Sequence, residues 1–202
     1  TSLGDPRAAI PLLEEAITLR RETGDVRGYA ISLARRGEAY STIGDHAAAL
    51  ADLEAAAGIF EAAGDPFSHG TALLHAAIAE RRAGRPEDAL KRLARAESLL
   101  DVEGGNVNRP ELCGERARSL SALGRGAEAL ACAAAAVAAA RALGLATSRR
   151  MMFAQAILAL AAAAAGDRAR ADAARAAARE LARAAGETAE AFPDDLRDVL
   201  FP

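Results

Sequence analysis

Tryptophan is absent from this chain, aromatic residues make up 3% of it, and only two cysteines and three histidines occur. With so few aromatics the core must come from small and aliphatic side chains, which is the material of closely packed helices rather than strands. Two cysteines cannot staple a disulfide framework, and no basic then apolar leader opens the chain, so a reducing cytoplasm is the expected compartment. No uninterrupted apolar run of 18 residues exists, since even the alanine-rich stretch from Leu123 to Leu145 carries Arg125, Glu128 and Arg141. A membrane-spanning helix is not expected. Neither sign of charge prevails, with 25 Lys+Arg against 28 Asp+Glu and a net charge of −3. No overall basic field draws the chain to nucleic acid or anionic lipid.

Signatures of catalysis are missing as well. His46, His69 and His75 have no His-x-x-x-His or Glu-x-x-His partner, and there is no Walker loop, G-x-G-x-x-G fingerprint or Gly-x-Ser-x-Gly elbow. The expectation is a non-enzyme with no catalytic residues, no metal and no cofactor. Cys113 and Cys132 flank Gly124 at similar distances along adjacent helices, and are expected as a buried pair of thiols. Gly104-Gly105-Asn106 is the loosest turn and reads as a linker. Arg175, Arg179 and Arg183 have helical spacing, with Asp172 and Glu180 nearby, so they read as a solvated face.

What the chain does have is periodic glycine. Gly4, Gly44, Gly84, Gly124 and Gly166 form one series with steps of 40, 40, 40 and 42, and Gly24, Gly64, Gly104, Gly144 and Gly186 form a second with the same steps. The two interleave at 20 residues, and each interval reads as one helix. Glycine supplies the left-handed conformation that ends a helix, and the aspartate that often follows can cap the next one. Gly-Asp occurs at Gly4-Asp5, Gly24-Asp25, Gly44-Asp45, Gly64-Asp65 and Gly166-Asp167, while Pro6, Pro66 and Pro86 suit a first helical turn. Helices are predicted near residues 6–22, 26–43, 46–63, 66–83, 86–102, 109–123, 126–143, 148–164 and 167–184, with a short tenth from Pro193 to Leu200. Turns this short make neighbours antiparallel.

Positions between the glycines repeat too. Ala9, Ala49, Ala89, Ala129 and Ala171 recur in alternate helices, and Ala16, Ala56, Ala96, Ala136 and Ala178 follow seven residues later, with Leu13, Leu53 and Leu93 between them. Small residues at such spacing let helix axes approach closely.

The series Leu33, Gly37, Tyr40, Gly44, Ala49, Leu53, Ala56 resembles the tetratricopeptide repeat at that family's spacing. Later copies run Leu73, Ala77, Gly84, Ala89, Leu93, Ala96, with Glu80 where the aromatic belongs, then Ala117, Leu120, Gly124, Ala129, Ala136, and finally Ala159, Gly166, Ala171, Ala178. The unit of 40 is similar to the long-helix variety found in kinesin light chains and in the arms of bacterial regulators. The resemblance implies an all-α, right-handed superhelical solenoid of antiparallel hairpins, about nine helices and a short C-terminal cap. Read on that pattern, residues 1–202 form a single domain: a half repeat at 1–24, full repeats at 25–64, 65–104, 105–144 and 145–186, and a cap at 187–202. The first helix carries a second-helix pattern, so its partner is expected before Thr1 and the chain is expected to be a piece of a longer protein.

For function, the resemblance implies a scaffold that binds a protein or peptide on its concave face, as the regulatory or assembly arm of a bacterial signalling or transcription protein. Self-association, as a homodimer or spacer, is the alternative. Contacts would come from the first helix of each hairpin. In this chain that means Glu38 and Thr42 in the first full copy, beside Ile31, Ala34 and Ser41, and Thr71, Arg81 and Arg82 in the second, beside Leu74 and Ile78. The third copy offers Glu111 and Arg118, beside Gly114 and Ser121, and the fourth offers Phe153, beside Ala156 and Leu160. The lysine and asparagine by which some relatives clamp a terminal carboxylate are missing, so Arg81, Arg82 and Arg118 are the candidates for acidic side chains or backbone carbonyls.

Overall fold

The computed structural model describes residues 5–100, 107–188 and 196–198. Among them lie nine helices and no strand: α1 (Pro6–Glu22), α2 (Val26–Ile43), α3 (His46–Ala62), α4 (Pro66–Arg82), α5 (Pro86–Leu100), α6 (Arg109–Ala122), α7 (Gly126–Ala142), α8 (Arg149–Ala164) and α9 (Arg168–Ala184). The glycine spacing therefore placed the helices correctly. Of the predicted tenth helix, only residues 196–198 are described; they are helical, with Leu196 fully buried. The rest of that segment, and the Gly104-Gly105-Asn106 turn, lie outside the described residues.

The punctuation works as its chemistry requires. Gly64 has φ +66°, its N–H donates to the Glu61 carbonyl at 3.1 Å, and the Asp65 N–H donates to the Phe60 carbonyl at 3.0 Å. These are the two closing bonds of a Schellman ending. The Asp65 carboxylate then accepts from the Ser68 N–H at 3.0 Å and the Ser68 hydroxyl at 2.7 Å, and these bonds hold its pKa below the ordinary aspartate value. Asp25, Asp45 and Asp167 cap α2, α3 and α9 in the same way.

The chain divides into two compact units, residues 1–105 and 106–202. In unit 1, α1 packs on α2, α2 pairs with α3, α3 packs on α4, and α4 pairs with α5. In unit 2, α6 pairs with α7, α7 packs on α8, and α8 pairs with α9. First helices also meet each other directly, α2 with α4 and α6 with α8, whereas the backbones of α3 and α5, or of α7 and α9, do not approach. The burden of burial follows: α4 and α8 bury nine residues each, against five for α5 and four for α9. First helices are thus the inner layer of each unit and second helices the outer.

Small residues make this packing possible. Ala49, Ala89, Ala129, Ala56, Ala96, Ala136 and Ala178 are all at 0% exposure, as are Leu53 and Leu93, so the repeated alanine and leucine positions are the core. A Cβ placed on Gly37 would lie 2.7 Å from Leu53 Cγ and 3.0 Å from the Ala49 carbonyl oxygen, which is why that inner position carries none. In unit 2 the core gathers Cys113, Ala136, Val137, Ala140, Met151 and Ala154.

Candidate functional site

Because α2 and α4 pack side by side, their outward residues form one surface in unit 1. Glu38 is half-buried on α2, and its carboxylate meets Arg35 at 3.1 Å and the His75 Nε2 of α4 at 3.6 Å. One turn on, Arg82 Nη1 reaches back from α4 to donate to the Ser41 carbonyl at 3.1 Å and the Ser41 hydroxyl at 3.2 Å. Two of the anticipated ligand residues, Glu38 and Arg82, therefore stitch neighbouring first helices together. Thr42 and Thr71 donate their hydroxyls to the carbonyls of Glu38 and Phe67 in their own helices, each at 2.9 Å. Their oxygens remain acceptors for a ligand. Arg81 is half-buried at the end of α4. Its charge and that of Arg82 act on His46 at the start of α3, whose pKa is lowered first by burial and then by Arg82, with Asp45 opposing and Arg81 assisting.

Unit 2 treats its candidates differently. Arg118 is 6% exposed and Glu115 is 7% exposed, and they join at 2.7 Å within α6. Both charges lie inside the molecule, satisfied there. Glu111 is half-buried on α6, and Phe153 on α8 is half-buried with the Arg149 guanidinium 5.7 Å above its ring. Of the accompanying positions, Leu74 and Ala156 are buried at 1% and 0% exposure, while Ile31 stands 39% exposed.

Two charge clusters between paired helices were not anticipated. Arg36 of α2 donates from Nε and Nη2 to both Asp52 carboxylate oxygens of α3, at 2.7 and 2.8 Å. It also meets Glu14 of α1 at 3.8 Å and lies over the Tyr40 ring at 5.7 Å. In the next hairpin Glu80 of α4 is 3% exposed and accepts from Arg92 of α5 at 2.6 Å, and Arg92 also reaches Glu54 of α3 at 2.8 Å. Burial alone would lower the Arg92 pKa, but Glu80 and Glu54 raise it above the ordinary arginine value. The sequence held one signal: Glu80 stands where the first copy has Tyr40, and an arginine twelve residues later on the paired helix answers it.

Cys113 and Cys132 are both thiols rather than a disulfide, but only Cys113 is buried, and Cys132 is partly open to solvent. The expected buried pair is thus corrected to one buried thiol, because α7 belongs to the outer layer and buries only the stripe from Ala129 to Ala140 that excludes residue 132. In the arginine row, Arg175 pairs with Asp172 at 2.6 Å. Among the described residues no group of His, Cys, Asp or Glu is arranged to hold a metal ion, and no helix is long and apolar enough to cross a membrane.

Antiparallel hairpins with an inner layer of first helices and an outer layer of second helices define a tetratricopeptide-like helical repeat fold. A structure from Podosopora anserina, a kinesin light chain with nearly identical TPR-like repeats, is similar in a singly substituted form with TM-score 0.68 at 21% identity, covering 91% of this chain and 89% of that one. The form without that substitution superposes with TM-score 0.65 at 20% identity, over 92% and 90% of the two chains. BtubC (BKLC) from P. vanneervenii is similar with TM-score 0.71 at 19% identity, over 95% of this chain and 77% of that one. No family model matches the chain, and no curated protein sequence does.

Proposed function

We propose that the chain is a non-catalytic scaffold that holds a protein or peptide segment against the first-helix layer of unit 1. The observation carrying this reading is the α2 and α4 surface, where Glu38 meets His75 and Arg82 reaches Ser41, with Thr42, Thr71 and Arg81 on the same two helices. Such a surface suits an extended segment with acidic side chains toward Arg81 and Arg82, its backbone carbonyls also accepting from guanidinium groups. In unit 2, Glu111 and Phe153 are the proposed contacts, while Arg118 is buried against Glu115.

Selection of binders from a peptide display library against the native chain tests the reading. Selected peptides should be rich in Asp or Glu and lose at least about tenfold in affinity when Arg81 and Arg82 are changed to Glu; affinity unchanged by that substitution overturns it. The finer proposal is a cytoplasmic regulatory or assembly arm of a larger bacterial signalling or transcription protein, supported by the resemblance of the 40-residue unit. Reading 1–202 as a single domain rests on the glycine spacing, which continues through Gly84, Gly104 and Gly124.

A second reading, self-association, has its own observation. Leu12 and Leu19 on α1 are 64% and 61% exposed, while the positions equivalent to Leu12 in α3 and α9, Asp52 and Ala174, are buried at 8% and 4%. An uncovered leucine stripe of this kind marks a contact surface. Light scattering across a concentration series decides it, with a dimer that Leu12→Glu and Leu19→Glu dissociate on one outcome and a constant monomer mass against it.

A further inference from the structure

The outer layers of the two units differ in one respect that concerns binding. In unit 1 the trough between α3 and α5 is strapped over by side chains: Arg92 Nη2 donates to Glu54 at 2.8 Å and Arg95 Nη2 to Glu61 at 2.9 Å. Counted from the repeated alanines Ala49, Ala89, Ala129 and Ala171, the same four positions in unit 2 are Ala134, Arg141, Ala174 and Ala177. Three alanines and a lone cation cannot form either strap. The trough between α7 and α9 accordingly lies open, with a volume of about 410 Å³, walled by Ala134, Ala138, Ala173 and Ala177 and closed beneath by Val137, Gln155 and Leu158.

Gln155 supplies a second, independent observation. Its side chain lines this trough, it is 8% exposed, and no hydrogen-bond partner holds it among the described residues. Its amide atoms are not sealed from solvent, so they are open to donate to, and accept from, a group that enters the trough. Charge completes the picture. Arg141 and Arg170 also line the trough; Arg141 has no ion-pair partner among the described residues, and the Arg170 pair with Asp167 is long, at 3.8 Å.

We propose that this outer trough of unit 2 docks an amphipathic helix of a partner protein, whose large apolar residue enters between the alanine walls and whose acidic residues face Arg141 and Arg170. Alanine walls let a helix axis come close. An extended strand would lay most of its backbone N–H and C=O groups against alanine, where Gln155 and two arginines cannot satisfy them all, whereas a helix satisfies its own. The apolar side chain covers Val137 and Leu158, and a neighbouring polar side chain takes the Gln155 amide.

The probe is a synthetic alanine-based helix with leucines at i, i+4 and i+7 and flanking glutamates, fluorescein-labelled and titrated into the full chain by anisotropy, beside a sister peptide with lysine for every glutamate. The glutamate helix should bind, more weakly as salt rises, and the lysine helix at least about tenfold less well. Arg141→Glu with Ala177→Arg transplants the Glu61–Arg95 strap of unit 1 and should reduce binding at least about tenfold. Ala138→Glu, at an exposed helix position where folding is not at risk, should do the same. Arg21→Glu, at an exposed position on α1 of unit 1 that belongs to neither proposed surface, should change nothing. Failure of the glutamate helix to bind, equal affinity for the lysine helix, retained binding by either trough variant, or a loss with Arg21→Glu would overturn the proposal.

Discussion

Asp52 and Arg92 occupy the same place in successive hairpins, three residues after Ala49 and Ala89, yet carry opposite charges. Each is answered from its first helix, Asp52 by Arg36 at 2.7 Å and Arg92 by Glu80 at 2.6 Å. Since Glu80 is 3% exposed, Arg92→Leu strands a buried carboxylate and should cost about 3–5 kcal/mol in urea denaturation. The double change Glu80→Tyr with Arg92→Leu, which restores the aromatic found at Tyr40, should recover most of that loss; equal destabilisation by single and double variants would contradict it. His46 offers a pH test. Burial and the nearby Arg82 lower its folded pKa below the ordinary 6.5, so the unfolded chain takes up the proton first as pH falls. Its contribution to stability is full above 6.5 and declines as pH drops from there toward the folded value. His46→Gln should therefore flatten the melting temperature between about pH 7 and about pH 5 relative to the parent.

Among the elements, two mid-helix glycines separate packing from propensity. Gly37→Ala pushes a methyl against Leu53 and the Ala49 carbonyl and should cost about 1–3 kcal/mol, whereas Gly58 has nothing within 4 Å of its Cβ position and Gly58→Ala should gain about 0.5–1 kcal/mol. Thermal melts of the two variants check both signs. These elements were legible because their stops are local chemistry: the α2 prediction of 26–43 matches Val26–Ile43, and α5, predicted to 102, is described to Leu100. Which face of each helix turns inward was harder to read. Glu115 and Arg118 sit three residues apart on one face of α6, and their spacing alone fits a solvated pair as well as the buried one observed. Glu54 and Arg92 lie 38 residues apart, so only the juxtaposition of α3 and α5 brings them together.

For the molecule as a whole, the repeat dictates a division of labour. Helices that meet two kinds of neighbour, as α4 does with α2, α3 and α5, spend most of their apolar residues on burial, although α4 also buries Glu80 against Arg92. The family resemblance put Glu38, Thr42, Thr71 and Arg82 on first helices, and α2 and α4 carry them. In unit 2 alanine fills so many positions that periodicity marks no preferred face. Hydrogen exchange of the native chain with and without a display-selected acidic peptide asks where binding falls. Added protection in unit 1 should fall on α2 and α4, with α3 and α5 unchanged; protection on α3 and α5 instead would contradict the scaffold reading of the first-helix layer.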